Sequence, residues 1–170
     1  QKRQKNNSNS DCDIIKEMSK PRFNFYSAVY LIIRKENKVL LARRFNTGWM
    51  DGKYTLPAGH IDGNETAQMA MSREAKEEIN LTILPKDLFV VHTMHRKSVL
   101  ESDSDNGREY FDLFLEANKF TGKPEIKEPN KCDNLDWFPI DSLSENTLDY
   151  VKIALKLISE GQHHSNFGFE

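Results

Sequence analysis

The elements legible in the sequence predict an α/β sandwich, with a mixed β-sheet lying between helices. Three observations point there. Residues 25–33 are apolar on both faces, the pattern of a strand covered on two sides. Residues 65–79 read as a mid-chain helix, and a second helix near the end carries the apolar stripe Leu148, Val151, Leu155 and Ile158. Short strands stand on both sides of the first helix, so the two kinds of element are mixed along the chain. The 170 residues suit one domain, long enough to bury about 70% of its unfolded surface without staples.

Residues 1–20 are polar and rich in Asn, Ser and Lys, with Ile14 and Ile15 their only anchor candidates. They read as a flexible leader that Pro21 ends, and the domain is expected over residues 21–162. A turn at residues 35–38 joins the first strand to a second at 39–43. A loop bearing Gly and Asn spans residues 46–54, and a short strand follows at 55–57. After the first helix, strands are expected at 88–95, 110–117 and 135–140, with Asn106-Gly107 as a hairpin signal between the first two. Ser144 is placed to cap the final helix and Gly161 to end it. Residues 163–170, including His163 and His164, are left as a C-terminal tail.

With 24 basic and 26 acidic side chains the formal net charge is −2. That balance argues against a general nucleic-acid or membrane binder, whose affinity comes from a basic excess. No stable nucleic-acid partner and no membrane association are expected. No apolar run reaches the roughly 18 residues of a membrane span. The first residues also lack a secretory apolar core, so the cytoplasm is the expected compartment. Cys12 and Cys132 form neither a disulfide framework nor a zinc spacing and read as reduced bystanders. The run Asp103-Ser104-Asp105-Asn106-Gly107 falls short of a calcium loop: its Gly comes one position early, and Phe114 stands where a Glu ligand should. His92 and His95 face opposite sides of a strand, a poor geometry for two ligands.

The informative stretch runs from Gly59 through Glu65 to Arg73-Glu74-Ala75-Lys76-Glu77-Glu78. At about 100° per residue, Glu74, Glu77 and Glu78 fall within an arc of roughly 100°, with Ala67, Ala70 and Met71 in or beside it. Carboxylates sharing a face with small residues suggest an inward face. A solvated helix laced with ion pairs is the plain alternative. It accounts for Glu77, which has Arg73 at i−4, but leaves Glu74 facing Glu78 at i+4, a like-charge pair. On a half-buried face, desolvation and repulsion both penalise that pair. A bound cation removes the conflict, and closely spaced hard oxygens suit Mg²⁺, with Mn²⁺ as the alternative.

These residues resemble the Nudix hydrolase signature, G-x5-E-x7-R-E-U-x-E-E-x-G-U with U aliphatic. Gly59, Glu65, Arg73, Glu74, Glu77, Glu78 and Leu81 stand at the required spacing. Two positions depart from it. Ala75 is smaller than the usual aliphatic residue, and Asn80 replaces the second Gly. Asn is the next most tolerant residue for a left-handed helix cap. The resemblance implies a Nudix-type α/β/α sandwich over residues 23–160. It also implies Mg²⁺ as cofactor and hydrolysis of a nucleoside diphosphate linked to a further group.

By the same resemblance, Glu74, Glu77 and Glu78 hold the metal, Glu65 and Gly59 complete that site, and Arg73 orients a glutamate. A carboxylate outside full metal coordination, such as Glu74 or Glu77, can serve as the base. In relatives that cleave nucleoside triphosphates a loop beyond the box can supply it instead; residues 121–129 look like that loop, with Glu128 preferred and Glu125 second. Arg43, Arg44 and Arg96 are candidates for outer phosphates, because a fork of donors suits phosphate oxygens. Trp49 and Tyr54 are placed to cover a nucleobase, and His60 is a further candidate contact. Tyr110, Asp112 and Phe114 share one strand face that can stack on a base and hydrogen-bond it, with ordinary sheet packing the other reading.

The expected substrate is a small nucleotide, a standard or modified (d)NTP giving the monophosphate and pyrophosphate. ADP-ribose, a dinucleotide or a nucleotide sugar is the alternative. ADP-ribose-cleaving relatives often carry a proline well past the box, and none lies between Pro85 and Pro124. A non-catalytic nucleotide sensor is the reading from another class, but inactive relatives usually lose box glutamates and all four are present. RNA-end processing would call for a basic groove. A homodimer is compatible with all of these.

Overall fold

A strand that is apolar on both faces must be covered twice. In the computed structural model, which describes residues 22–98 and 107–169, this requirement organises the chain. The elements run β1 (Tyr26–Ile32), β2 (Arg34–Lys35), β3 (Lys38–Arg44), β4 (Tyr54–Thr55), β5 (Ala58–His60), α1 (Ala67–Ile79), a 3-10 turn (Pro85–Asp87), β6 (Leu88–Lys97), β7 (Glu109–Ala117), β8 (Cys132–Pro139), α2 (Asp149–Ser159) and β9 (His164–Phe167). The main sheet has the order β5-β1-β7-β6-β9. β1 is antiparallel to β5 and parallel to β7, while β6 is antiparallel to β7 and parallel to β9. β3 pairs antiparallel with β2, β4 and β8 in a second, smaller sheet.

Alternate residues of β1 feed two separate cores. Val29 and Leu31 pack with Ala70, Met71, Ala75 and Ile79 of α1. Ala28, Tyr30 and Ile32 pack with Val151, Ala154 and Leu155 of α2, together with Phe114 and Met94. The mixed sheet between helices is therefore observed as expected. Among the described residues no helix is long and apolar enough to cross a membrane. The leader at residues 1–20, Cys12 and the run Asp103 to Asn106 lie outside the described residues; Gly107 is described and has φ +74°.

Several boundaries differ from the sequence reading, each for a local reason. α1 begins at Ala67, not residue 65, because Thr66 caps it: its hydroxyl accepts the Met69 N–H at 3.2 Å. The expected strand at 55–57 is split, since Pro57 cannot donate to a ladder. Tyr54–Thr55 pairs with β3, and Ala58–His60 crosses to β1. α2 begins at Asp149 without the expected Ser144 cap. Tyr54 holds the preceding backbone extended, donating its N–H to Asn146 and accepting that of Leu148, both at 3.0 Å. Gly161, at φ +74°, does end α2, and Gln162 N–H returns to Leu157 O at 2.9 Å.

The C-terminal residues are not a free tail. His164–Phe167 forms β9 at the edge of the main sheet, in register Thr93↔His164 through Arg96↔Phe167. His92 helps to latch it: Nδ1 lies 3.0 Å from Gln162 O and Nε2 lies 2.8 Å from the Ser165 hydroxyl. A carbonyl only accepts, so Nδ1 carries the proton and Nε2 accepts from Ser165.

Two outcomes follow from these termini. Asn80 caps α1 at φ 59° and ψ 21° in the left-handed region. Asn80→Ala should therefore cost about 1 kcal/mol in urea denaturation, while Asn80→Gly stays near neutral. Burial lowers the His92 pKa from its ordinary value, and the nearby His164 and His163 lower it further against the raising effect of Gln162 O. The unfolded chain then takes up the proton first, so this stability is full above the unfolded pKa of about 6.5 and is lost as pH falls below it. Urea midpoints at pH 7.5 and 5.5 should show that loss, and His92→Gln should reduce it.

Candidate active site

The glutamate helix meets the sheet at Gly59 of β5. A Cβ placed on Gly59 would fall on the Glu74 carboxyl group, so only glycine permits this approach. Arg73 then ties the neighbourhood together. Its guanidinium donates to Glu74 Oε1 at 2.6 Å, to Glu65 Oε1 at 2.7 Å, to Glu65 Oε2 at 3.3 Å and to His60 O at 3.2 Å. Glu77 accepts more distantly, at 3.5 Å, and its side chain is 56% exposed at the rim. Glu65, outside the helix, also accepts the Asp62 N–H at 2.8 Å.

The same residue type carries different charge preferences along this site. Hydrogen bonds from Arg73 and then from the Asp62 N–H hold Glu65 below the usual carboxylate range. Burial raises Glu74 although Arg73 opposes it. Burial pushes Glu78 up to about 8, against the hydrogen bond from Ala58 N–H, and the Glu74 and Glu128 charges add to the rise. A carboxylate buried among like charges is stabilised in its ionised form by a cation. Glu74, Glu78 and Glu128 are close enough to interact electrostatically and are hard-oxygen donors of the kind Mg²⁺ takes. Among the described residues no three acidic or imidazole groups enclose an ion by themselves. Mg²⁺ ordinarily keeps waters and takes substrate phosphate oxygens, so an incomplete protein set suits it.

A cavity of about 400 Å³ opens beside these residues. Its lining includes the acidic and basic residues Glu78, Glu128 and Lys131 beside Gly59, the group Tyr30, Arg96, Tyr110 and Tyr150, and Arg43, Arg44, Thr47 and Trp49. Lys131 Nζ donates to Glu128 Oε1 at 2.8 Å, while Glu125 is drawn away to the Asn80 amide at 3.4 Å. Arg43 is engaged in a two-point pair with Asp133 at 2.7 and 3.0 Å. Arg44 donates to Trp49 O at 2.7 Å and to the Thr47 hydroxyl at 2.9 Å, with its Cζ 4.6 Å from the Trp49 ring centroid.

Other expected contacts are placed differently. Phe114 is fully buried and stacks on Tyr30 at 4.9 Å, so it belongs to the core and not to the cavity wall. Tyr54 does not line the cavity; it packs on Phe138 at 4.7 Å, and its hydroxyl accepts from Asn134. Asp112 also stays behind the wall, where its carboxylate receives Arg96 Nε at 2.6 Å. Trp49, Tyr110 and His60 do reach the cavity. Lys131, Tyr30 and Tyr150 also line the cavity, without being singled out in the sequence reading. Tyr150 sits on a helix whose apolar stripe reads completely without it, while the three-residue spacing from Glu128 was the available signal for Lys131.

Carboxylates, a basic side chain and aromatic rings thus line one cavity, a setting that suits a ligand carrying both phosphates and a planar ring. The family model described as the NUDIX domain matches residues 24–159, and the chain belongs to the Nudix family as a pyrophosphatase enzyme. An ADP-ribose pyrophosphatase of Methanocaldococcus jannaschii is 28% identical over 140 residues, 81% of this chain and 77% of that protein. An 8-oxo-dGTP diphosphatase of Proteus vulgaris is 36% identical over 56 residues, 33% of this chain and 50% of that protein. Among solved structures, the MutT Nudix hydrolase of Burkholderia pseudomallei matches with TM-score 0.68 and 24% identity, over 79% of this chain and 98% of that one. That last match is a likeness of fold.

The packing of Glu74 on Gly59 can be tested directly. Gly59→Ala should displace the Glu74 carboxylate and lower kcat by about 10²-fold, the scale for a misplaced catalytic group. Activity near that of the parent in steady-state assays would show that the contact is dispensable.

Proposed function

We propose that this enzyme hydrolyses a nucleoside triphosphate, standard or modified, to the monophosphate and pyrophosphate. The observation that carries this reading is a single cavity lined by both Glu78 and Glu128 and by Trp49, Tyr110 and Tyr150. Its volume of about 400 Å³ is at the small end for ligand pockets and suits one nucleoside with its phosphates.

Nudix hydrolases generally use a divalent metal such as Mg²⁺. Here Glu74 and Glu78 would hold it, with Glu77 at the rim and Glu65 in support through Arg73. Bound there, the ion supplies neutralisation of the diphosphate charge and polarisation of the attacked phosphorus. The chain's own residues do the rest. Arg73 fixes Glu65 and Glu74 in place, and the Ala58 N–H orients Glu78. Glu128 accepts a proton from the attacking water, and Lys131 beside it steadies the carboxylate until the substrate arrives. The rings of Trp49 and Tyr110 offer apolar surface to the nucleobase. A second reading, cleavage of ADP-ribose, is supported by the archaeal relative, whose match extends over 81% of this chain.

The test is product analysis on a panel of (d)NTPs, their oxidised forms, ADP-ribose and dinucleoside polyphosphates, with Mg²⁺ and with excess EDTA. Metal-dependent release of a monophosphate and pyrophosphate is the expected result. Cleavage of ADP-ribose alone would favour the second reading. Glu78→Gln should lower kcat at least about 10²-fold with the fold intact by circular dichroism. Glu128→Gln should also lower kcat about 10²-fold with little change in KM; an unchanged rate would move the base into α1.

A further inference from the structure

We propose that Arg96 reads the edge of the nucleobase and selects bases presenting two adjacent hydrogen-bond acceptors, guanine among purines and cytosine among pyrimidines. The inference rests on the nucleotide reaction proposed above.

Arg96 is only 4% exposed, yet it lines the cavity. Its Cζ stands 4.1 Å from the Tyr110 ring centroid and 4.6 Å from that of Tyr150. Its Nε donates to Asp112 Oδ2 at 2.6 Å, and Asp112 itself is fully buried. A guanidinium has five N–H donors in a planar fork. Asp112 takes the one on Nε, and among the described residues no hydrogen bond from either Nη is found. The Nη groups thus keep donors to offer, on a side chain that lines the cavity and is held by the carboxylate and the two rings.

The backbone position sets this arginine apart from the strand that carries Gly59. Gly59 and the glutamates lie at β5, while Arg96 lies on β6, three strands farther across the main sheet. At the usual strand spacing that is roughly 14 Å of backbone separation. A substrate whose phosphates meet Glu78 and Glu128 extends its base toward the aromatic part of the cavity.

Chemistry then decides which base fits. A guanidinium fork pairs with two neighbouring acceptors, as O6 and N7 of guanine offer. Adenine offers N7 beside an amino donor, which would meet the cationic fork with the wrong polarity. Cytosine has O2 next to N3, whereas thymine places an N–H between its two carbonyls. 8-Oxoguanine carries a hydrogen on N7 and loses the paired acceptors of guanine. A buried donor set rejects a base that leaves it unpaired, because the protein cannot recover the lost hydrogen bonds from water.

The experiment compares kcat/KM for dGTP, dCTP, dATP, dTTP and 8-oxo-dGTP with Mg²⁺. The better of dGTP and dCTP should exceed dATP and dTTP by about 10- to 100-fold, and dGTP should exceed 8-oxo-dGTP. Arg96→Lys keeps a cation beside Asp112 but loses the fork, so that ratio should fall to within about threefold. Turnover with equal kcat/KM for all five, or a preference for dATP, dTTP or 8-oxo-dGTP, overturns the inference while leaving the proposed reaction intact. A ratio unchanged in a folded Arg96→Lys protein also overturns it. Should that variant fail to fold, competition of GMP, CMP and AMP for the parent enzyme decides, with AMP equal or better counting against the inference. No hydrolysis of any nucleotide overturns the proposed reaction, and direct binding of the same monophosphates then decides the base reading by the same criterion.

Discussion

β1 is buried on both faces, and the rest of the molecule is arranged to satisfy it. Its side chains alternate between the core under α1 and the core under α2. A one-residue slip would exchange the two sets, placing Tyr30 where Val29 and Leu31 now pack. Register is therefore strongly specified, and β1 fixes both β5 and β7 through its two edges. Fixing β5 sets Gly59 under Glu74; fixing β7 sets Asp112 behind Arg96. Two parts of the cavity that lie far apart in sequence are thus referred to one strand.

The charges in this cavity illustrate how environment divides identical groups. Glu65 has a guanidinium and a backbone N–H, Glu78 has burial and negative neighbours, and their carboxyl groups are driven in opposite directions. α1 can carry such a burden because Met71 and Ile79 anchor it in the core, each worth roughly 1.5–3 kcal/mol when fully buried. That burial holds α1 on the sheet although desolvation and mutual repulsion both penalise its glutamates. Arg96 and Asp112 pose a related case. A buried ion pair is weak evidence of stability, since an apolar pair of equal volume commonly does as well. A pair kept beside a cavity makes better sense as a fixed donor than as a support for the fold.

The glutamate box and the two-faced strand were legible because each is encoded locally. Spacing within one helix sets the arc of Glu74, Glu77 and Glu78, and the left-handed cap at Asn80 follows from one residue's tolerance. The arc did not distinguish Glu77, which lies at its edge and meets solvent. Period-two alternation correctly put Tyr110, Asp112 and Phe114 on one face, but it could not say that Tyr30 and Arg96 would occupy that face before any ligand. β9 was illegible for a different reason: an edge strand of polar residues has no apolar alternation, and its partner β6 lies far back in the chain. Tyr150 was hidden likewise, since its contact with Arg96 joins the final helix to a mid-chain strand.

The two parts of the cavity differ in how they are held. The acidic end is built by β5, α1 and the short connection between them, bound together by Arg73 across few intervening residues. The aromatic part needs β6 to be clamped between β7 and β9, and it needs α2 to present Tyr150. Phe167 of β9 faces Arg96 in the strand register and packs edge-on to Tyr150 at 6.2 Å. Elements that rest on long-range contacts at a sheet edge open at lower free energy than those in the sheet centre. Fraying of β9 would therefore loosen the grip on the base while leaving the carboxylates in place. On the proposed reading, base selection and phosphate chemistry would be physically separable, although one cavity would serve both.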